Sequence, residues 1–323
     1  MTELIRYIKK HTRAFNHFMK PAAVILMYHR ISNTYVEPNW LAVSPKNFDQ
    51  HLRFIRRSCQ PIRLLDLADA IENRTIPPRA VAVTFDDGYL DNLTEALPRL
   101  ESFQVPATLF VTAGYLGSPR EFWWDELPRL IMLSPAVPSS LSIRIQSQDY
   151  VWRTNSAEER QDTYLALLSI LKPLSMKVKE EIISRLCWWA GTERLLRDEY
   201  RTMTVEELKR FAGSKFTDLG AHTMTHPILP TLSPDMQRSE IVDSAHHLET
   251  VLNTPSRTFA YPNGDFSDET IRIVSGTGFR AACTTITGNV KFGDDLFRLR
   301  RCAVNDWDIE TFKNNLEAFY NSG

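Results

Sequence analysis

Two short stretches carry more chemistry than any others in this 323-residue chain. In Thr84-Phe85-Asp86-Asp87-Gly88-Tyr89, two adjacent carboxylates follow the apolar run 80–83. Neighbouring carboxylates repel and apolar surroundings disfavour ionising both, so such a pair persists where a cation or a proton resolves the conflict. Gly88 lets the backbone turn tightly at that point. The plainer alternative is a loop whose aspartates cap a helix beginning near Leu90. In His222-Thr223-Met224-Thr225-His226-Pro227, two histidines four apart follow the strand-like run 217–221. On one helical turn both imidazoles would face the same side, a common way to hold a divalent metal, although the spacing alone fits two structural histidines equally well. The conjunction favours the metal. Both stretches end strand-like runs, and in parallel-stranded folds active groups gather at the strands' C-terminal ends. Two histidines and one carboxylate then make the three-ligand set of a catalytic zinc site, with a position left for water.

The elements that must position these groups follow an α/β rhythm. Short apolar runs rich in β-formers occur at 22–28, 80–85, 107–112, 217–222, 258–261 and 279–285, with helical segments between most of them. Ser233-Pro234 opens one helix, Ser267 caps another that ends near Gly276 or Gly278, and Thr204 with Glu207 predicts a capping box for a third. Parallel strands with crossover helices suit a barrel or a doubly wound sheet, and the pattern leaves both open. Residues 121–200 break the rhythm. They begin with Trp123-Trp124, continue through an alternating patch at 141–151 with a turn at Ser147-Gln148, and end in helices over 157–171 and 176–189. This stretch reads as an insertion whose apolar helix faces need a partner on the outside or the rim of the main body.

Bulk properties narrow the partners. A 43% hydrophobic chain of this length can bury a large core, in one enlarged barrel or two domains. The net charge of −1 and pI near 6.7 give no basic field of the kind found on nucleic-acid binders. Cys59, Cys187, Cys283 and Cys302 are far apart, form no C-x-x-C pair and read as reduced thiols. Residues 1–20 combine Arg6, Lys9, Lys10, Arg13 and Lys20 with Leu4, Ile5, Ile8, Phe15 and Phe18 at helical spacing. That predicts an amphipathic helix, packed on the protein's own body in the preferred reading or lying on an anionic membrane in the other. The run 22–28 has no following cleavage site and is far below the ~20 residues that span a bilayer. The expected location is cytoplasmic, with any membrane contact peripheral and through the N-terminal helix.

Asp86, Asp87, His222 and His226 stand in stretches that resemble the NodB-like polysaccharide deacetylases (carbohydrate esterase family four), whose hallmarks are T-F-D-D-G and H-[ST]-x-x-H in that order. Both are present unaltered. Similarity continues through Leu26-Met27-Tyr28-His29-Arg30-Ile31, Pro106-Ala107-Thr108-Leu109-Phe110-Val111 and Phe259-Ala260-Tyr261-Pro262-Asn263-Gly264. It covers most of the chain apart from the insertion and the N-terminal helix. The resemblance implies an irregular, incomplete (β/α) barrel of about seven parallel strands over residues 21–323, including insertion 121–200. It also implies Asp86 as catalytic base and Asp87, His222 and His226 as ligands of a divalent metal. Zinc is the first choice, and cobalt, nickel and manganese also suit the donors. The implied activity is hydrolysis of N-acetyl groups from amino sugars in a polysaccharide, an oligosaccharide or a carrier-linked glycan.

Departures from the family pattern leave two roles unassigned. In the motif commonly R-x-P-Y-G, whose arginine braces the base, the arginine position is Ala260 and the tyrosine position is Asn263. The Asn263 backbone N–H could still serve an oxyanion, since that role needs no side chain. The late leucine-x-histidine motif, source of the usual general acid, falls at Leu299-Arg300-Arg301, without a histidine. His29, at the end of the first strand, is the substitute acid or a group that orients a ligand, against the plainer reading of a loop hydrogen bond. Arg301 could stabilise an oxyanion but cannot deliver a proton. Asp306-Trp307 is similar to another family pair, but its place after the last motif makes a poor match. Tyr115, Trp123, Trp124 and Trp307 are available to stack on sugar rings, although tryptophan is more often core. Two other functions stay open: a sugar-binding barrel without turnover, and an amide hydrolase for another acylated small molecule. The intact Asp86 weighs against the first, because pure binding gives no reason for a base beside a metal.

Overall fold

The computed structural model describes residues 22–33 and 38–322, so the amphipathic helix expected over 1–20 lies outside the described residues. In chain order the strands are β1 (Val24–Tyr28), β2 (Arg30–Ile31), β3 (Ala42–Val43), β4 (Gln60–Pro61), β5 (Ala80–Phe85), β6 (Ala107–Val111), β7 (Ser140–Ile145), β8 (Gln148–Arg153), β9 (Thr217–Ala221), β10 (Thr258–Ala260), β11 (Ala281–Cys283) and β12 (Cys302–Ala303). The helices are α1 (Pro45–Ser58), α2 (Leu64–Glu72), α3 (Leu97–Phe103), α4 (Trp123–Pro128), α5 (Ala157–Leu171), α6 (Met176–Trp189), α7 (Val205–Ala212), α8 (Pro234–Leu252), α9 (Asp268–Ser275) and α10 (Ile309–Asn321).

Every residue of β1, β5 and β6 is buried, as near-continuous apolar runs require when a parallel sheet is covered on both faces. The sheet runs β11-β10-β9-β6-β5-β1-β12, with β4 added beside β5. The single parallel bridge Cys283–Leu299 brings its two ends together. The result is the irregular (β/α) barrel of seven parallel strands, not a flat doubly wound sheet. Register sets the site. Tyr28 pairs with Phe85 and Val111 with Ala221. His29 and Asp86 therefore leave their strands at one level, and Thr112 and His222 leave theirs at another just beside it.

Helix ends obey local rules. Ser233 caps α8, Ser267 caps α9 before its end at Gly276, and the Thr204–Glu207 capping box opens α7. The helix expected near Leu90 instead begins with a π-helical turn over Asn92–Ala96 before α3. The paired aspartates do not cap it.

Between β6 and β9 the chain builds a lobe. The hairpin β7–β8 turns at Gln146-Ser147, one residue before the expected position, with Gln146 in the left-handed region at φ 54°. α5 and α6 span 157–171 and 176–189. Leu167, Ile183 and Leu186 lie in a separate apolar cluster that includes Tyr89 and Tyr115 from the barrel loops. The lobe therefore packs on the rim that carries the strand ends, not on the barrel's outside. Its ends are tied by buried Glu121, which takes two hydrogen bonds from the Arg197 side chain (2.8 and 2.6 Å), and by buried Glu126, held by Arg194. All four cysteines are free. Among the described residues no helix is long and apolar enough to cross a membrane.

Leu186 is fully buried in the lobe's cluster. Leu186→Ala is expected to cost about 2–5 kcal/mol by lost transfer energy and cavity formation, measured by denaturant unfolding. A cost below about 1 kcal/mol would mean the lobe relaxes around the change and does not pack as a core.

Candidate metal centre and active-site pocket

Immediately after β5 the backbone turns through Asp87 (φ 76°) and Gly88 (φ 94°). The Asp86 N–H donates to the Tyr28 carbonyl at 3.0 Å and the Thr112 N–H donates to the Asp87 carbonyl at 3.2 Å, so the turn is fastened to both neighbouring strands. Facing it, the His222 N–H donates to the Val111 carbonyl at 2.9 Å, and His222 Nδ1 lies 2.7 Å from the Ala260 carbonyl. That contact makes Nδ1 the protonated nitrogen and leaves the Nε2 lone pair facing the cavity.

The two histidines are not on a helical turn, contrary to the expectation from their spacing. Thr223 (φ 66°) and His226 (φ 57°) are left-handed, and the segment is a loop. Three devices hold its shape. Thr223 Oγ1 accepts the His226 N–H at 3.0 Å. Glu240 on α8 accepts the Met224 and Thr225 N–H groups, both at 2.9 Å, and the Thr225 hydroxyl at 2.6 Å. Gly114 lets the loop after β6 come so close that a Cβ there would lie 2.5 Å from the Met224 carbonyl oxygen. Non-glycine residues at positive φ cost free energy, and of the ten among the described residues Asp87, His226 and Asn263 line this one cavity while Thr223 follows the lining residue His222.

His222 Nε2 and His226 Nε2 stand 3.7 and 3.6 Å from Asp87 Oδ1. Donors bound at ~2.0–2.2 Å in tetrahedral geometry stand ~3.3–3.6 Å apart, so these atoms fit one small divalent ion with little movement. Asp87 Oδ1 is buried and accepts no hydrogen bond from the protein. Among the described residues no other group of three His, Cys, Asp or Glu side chains could hold a metal. Burial, then the charges of Asp86 and Asp125, push the Asp87 carboxyl well above its ordinary range. Burial lowers both histidines. Two neutral imidazoles beside a carboxylate that lacks a counter-charge are the donor forms a divalent cation requires.

Asp86 is held oppositely. Burial opposes its ionisation, but the Arg301 charge and hydrogen bonds, with His222 and His29, keep it well below the usual carboxylate range. Arg301 is fully buried and donates to Asp86 Oδ1 and Oδ2, both at 2.7 Å. The same guanidinium donates to Thr84 Oγ1 at 3.2 Å and to the Thr284 carbonyl at 2.9 Å. With its donors committed to Asp86, Thr84 and Thr284, Arg301 is the brace for Asp86 that was missing from position 260, and the oxyanion role considered for it is withdrawn.

His29 Nε2 lies 4.0 Å from Asp86 Oδ2, and His29 is partly exposed to the cavity. Burial lowers it to about 4 against the opposing pull of Asp86, with Arg301 and His222 adding to the decrease. Asn263 lines the other side at φ 58°. Trp123 and Trp124 complete a cavity of about 300 Å³ that also contains Asp86, Asp87, His222 and His226. The Trp124 ring lies tilted by 53° against His226, with centroids 4.7 Å apart, and its N–H donates to the Tyr89 hydroxyl at 2.9 Å. Tyr115 and Trp307 are not at the cavity, so their expected sugar-stacking role is corrected. Tyr115 packs on Phe122, and the Trp307 carbonyl contacts His51 Nε2 on α1 at 2.8 Å. Asp306 accepts from Ser44 and Asn47 at the start of α1, a structural post. A larger hollow of about 550 Å³, lined by Thr217 and Leu219 among others, holds no such cluster.

The family model for polysaccharide deacetylases matches residues 73–136 and 148–282, more than half of the chain. The chain belongs to the polysaccharide deacetylase family. It is 22% identical over 289 residues to YxkH of Bacillus subtilis, named provisionally as a polysaccharide deacetylase, covering 88% of this chain and 73% of that protein. A 100-residue stretch, 30% of this chain, is 24% identical to 15% of the poly-beta-1,6-N-acetyl-D-glucosamine N-deacetylase of Escherichia coli. In fold it is similar to the deacetylase PplD of Streptococcus pyogenes, solved in complex with acetate (TM-score 0.60, 21% identity, 92% of this chain and 99% of that one). It is also similar to IcaB of Ammonifex degensii (TM-score 0.61, 19% identity, 94% and 98%).

For a polysaccharide deacetylase, the residues that sequence reasoning missed lie behind the site. Glu240 fixes the histidine loop from a helix fifteen residues away, and no motif marks it. Arg301 was visible as the place where a histidine was absent and as a group able to stabilise an oxyanion, not as the brace for Asp86. Arg301→Met, which leaves the Asp86 charge buried and unpaired, is expected to lower the unfolding free energy by about 3–5 kcal/mol. Adding Asp86→Asn should recover part of that loss. Additive costs in the double variant, read by denaturant titration, would show that the two side chains are not energetically coupled.

Proposed function

We propose that this cavity is the active site of a metal-dependent amide hydrolase that removes N-acetyl groups from amino sugars of a glycan. The observation that carries the reading is the contrast between neighbouring carboxylates: Asp87 Oδ1 is buried without a hydrogen bond among two histidine Nε2 atoms, while Asp86 is clamped by Arg301. The family's printed activity and the N-acetylglucosamine polymer named for the Escherichia coli relative support the substrate class.

Asp87, His222 and His226 would hold the ion, zinc first by its donor set, and when bound it supplies Lewis acidity toward the acetyl carbonyl and the attacking water. Asp86 is ionised and accepts the proton that water loses as its oxygen bonds to the acetyl carbon. Arg301 holds its proton affinity low, so the proton passes on easily. His29 is neutral at rest and lies 4.0 Å from Asp86. It takes that proton and gives it to the sugar nitrogen as the C–N bond breaks. The products are acetate and the free amine. The Asn263 N–H shares the charge that develops on the carbonyl oxygen, a contribution of about 2.7–4 kcal/mol when one such donor is lost. Trp123 and Trp124 exclude water and orient the ring that bears the amide. A pure binding barrel is the weaker reading, because a desolvated Asp86–Arg301 pair is costly to bury and adds nothing to binding.

Asp86→Asn is expected to retain metal, read by elemental analysis of purified protein, and to lose acetate release from N-acetylglucosamine oligomers. Unchanged turnover would remove Asp86 from the chemistry. His29→Gln should lower kcat by about 10²–10⁴, the usual contribution of a positioned proton donor. His226→Ala should lose the metal together with the activity, and full metal content in that variant would refute the ligand assignment.

A further inference from the structure

The lobe contributes charge as well as a wall. Lys172 follows α5 directly, is half-buried and lines the cavity beside Leu168. Lys179 is 2% exposed, and its Nζ sits 4.8 Å from the centroid of Trp123, itself a cavity residue. Packed on the ring of a lining residue, that ammonium group sits just behind the cavity wall.

Neither lysine forms an ion pair among the described residues. The lobe's glutamates at 121, 126 and 180 are committed to arginines, Glu121 to Arg197, Glu126 to Arg194, and Glu180 to Arg120 and Arg194, and buried Asp125 accepts the Tyr89 hydroxyl at 2.7 Å. A cation at the end of α5 has an ordinary explanation in the helix dipole, which favours positive charge there. Lys179 has none. It lies in the first turn of α6, where the dipole opposes a cation, and it is buried with an aromatic face to offset the cost. Inside the cavity the carboxylates are Asp86, neutralised by Arg301, and Asp87, facing two histidines.

We propose that Lys172, backed by Lys179, forms an anion-binding subsite on the lobe side of the cavity, and that the acylamino sugar carries a phosphate ester or a carboxylate next to the amide. This specificity rests on the deacetylase reading. The shared chemistry is an oxyanion with several acceptor atoms, which an ammonium group meets with charge-assisted hydrogen bonds.

The test uses the full chain as purified, with three probes in isothermal titration: N-acetylglucosamine 1-phosphate, an N-acetylglucosamine–glucuronic acid disaccharide, and the neutral N-acetylglucosamine disaccharide. Wild type should bind one anionic probe at least about tenfold tighter than the neutral one, the size expected for a hydrogen bond to a charged group. The anion that is favoured distinguishes the phosphate from the carboxylate source. Lys172→Gln should erase most of that preference. Lys179→Met should reduce it several-fold without lowering the melting temperature, because it removes an uncompensated charge. Equal binding of all three probes, or a preference that survives Lys172→Gln, overturns the subsite. A large fall in the melting temperature of Lys179→Met would make Lys179 structural and overturn its backing role. A Lys172-dependent anion preference with no acetate released from any probe keeps the subsite and sinks the deacetylase reading instead.

Discussion

An ionised carboxylate in a dehydrated cavity needs a permanent cation beneath it, and the Asp86–Arg301 pair meets that need with two hydrogen bonds of 2.7 Å. Much of the site's geometry follows from it. Arg301 reaches Asp86 because β12 lies beside β1 while the residues just before it run beside β11, so the segment that draws the two ends of the sheet together also delivers the guanidinium. A lysine could not replace it, since the contact is a planar fork gripping both carboxylate oxygens while its other donors hold Thr84 and Thr284. Barrel closure and the charge state of Asp86 are thus one structural event.

Because Arg301 neutralises Asp86, its neighbour Asp87 is free to differ. Two carboxylates on consecutive residues are pushed in opposite directions, Asp86 downward by the guanidinium and Asp87 upward by burial and by Asp86 itself. Such a separation is a familiar sign that adjacent titratable groups have different tasks. Here one carboxylate is kept charged by the protein's own arginine, and the other keeps a buried oxygen that accepts no hydrogen bond from the protein. Left-handed turns at Asp87, Thr223 and His226 aim the donors, and Glu240 holds the histidine loop in that strained form from α8.

The lobe between β6 and β9 walls one side of the cavity. Trp124 is fixed through the Tyr89 hydroxyl, so the lobe wall is registered on the barrel rim and not hung loosely above it. Trp123 faces the cavity with Lys179 over its ring, so the lobe brings apolar surface and positive charge to the same place. The barrel supplies the paired carboxylates and the histidines, and the lobe supplies the aromatic and cationic wall that faces them.

The sequence determined by itself whatever depends on neighbours along the chain. Buried strands announce themselves as apolar runs, caps at Thr204, Ser233 and Ser267 act within one turn, and the T-F-D-D-G and H-T-M-T-H stretches keep their donors a few residues apart. The lobe helices at 157–171 and 176–189 were legible for the same reason. Contacts between distant segments were not. The brace for Asp86 comes from 215 residues later, and the support for the histidine loop comes from a helix with no motif. The shape of that loop was misread as helical because spacing reports separation along the chain, whereas left-handed turns are imposed by what packs around them. Tyr115 and Trp307 were misplaced for a related reason: an aromatic side chain has the same composition in a core and on a sugar platform, and only the register of the strands decides which one it joins.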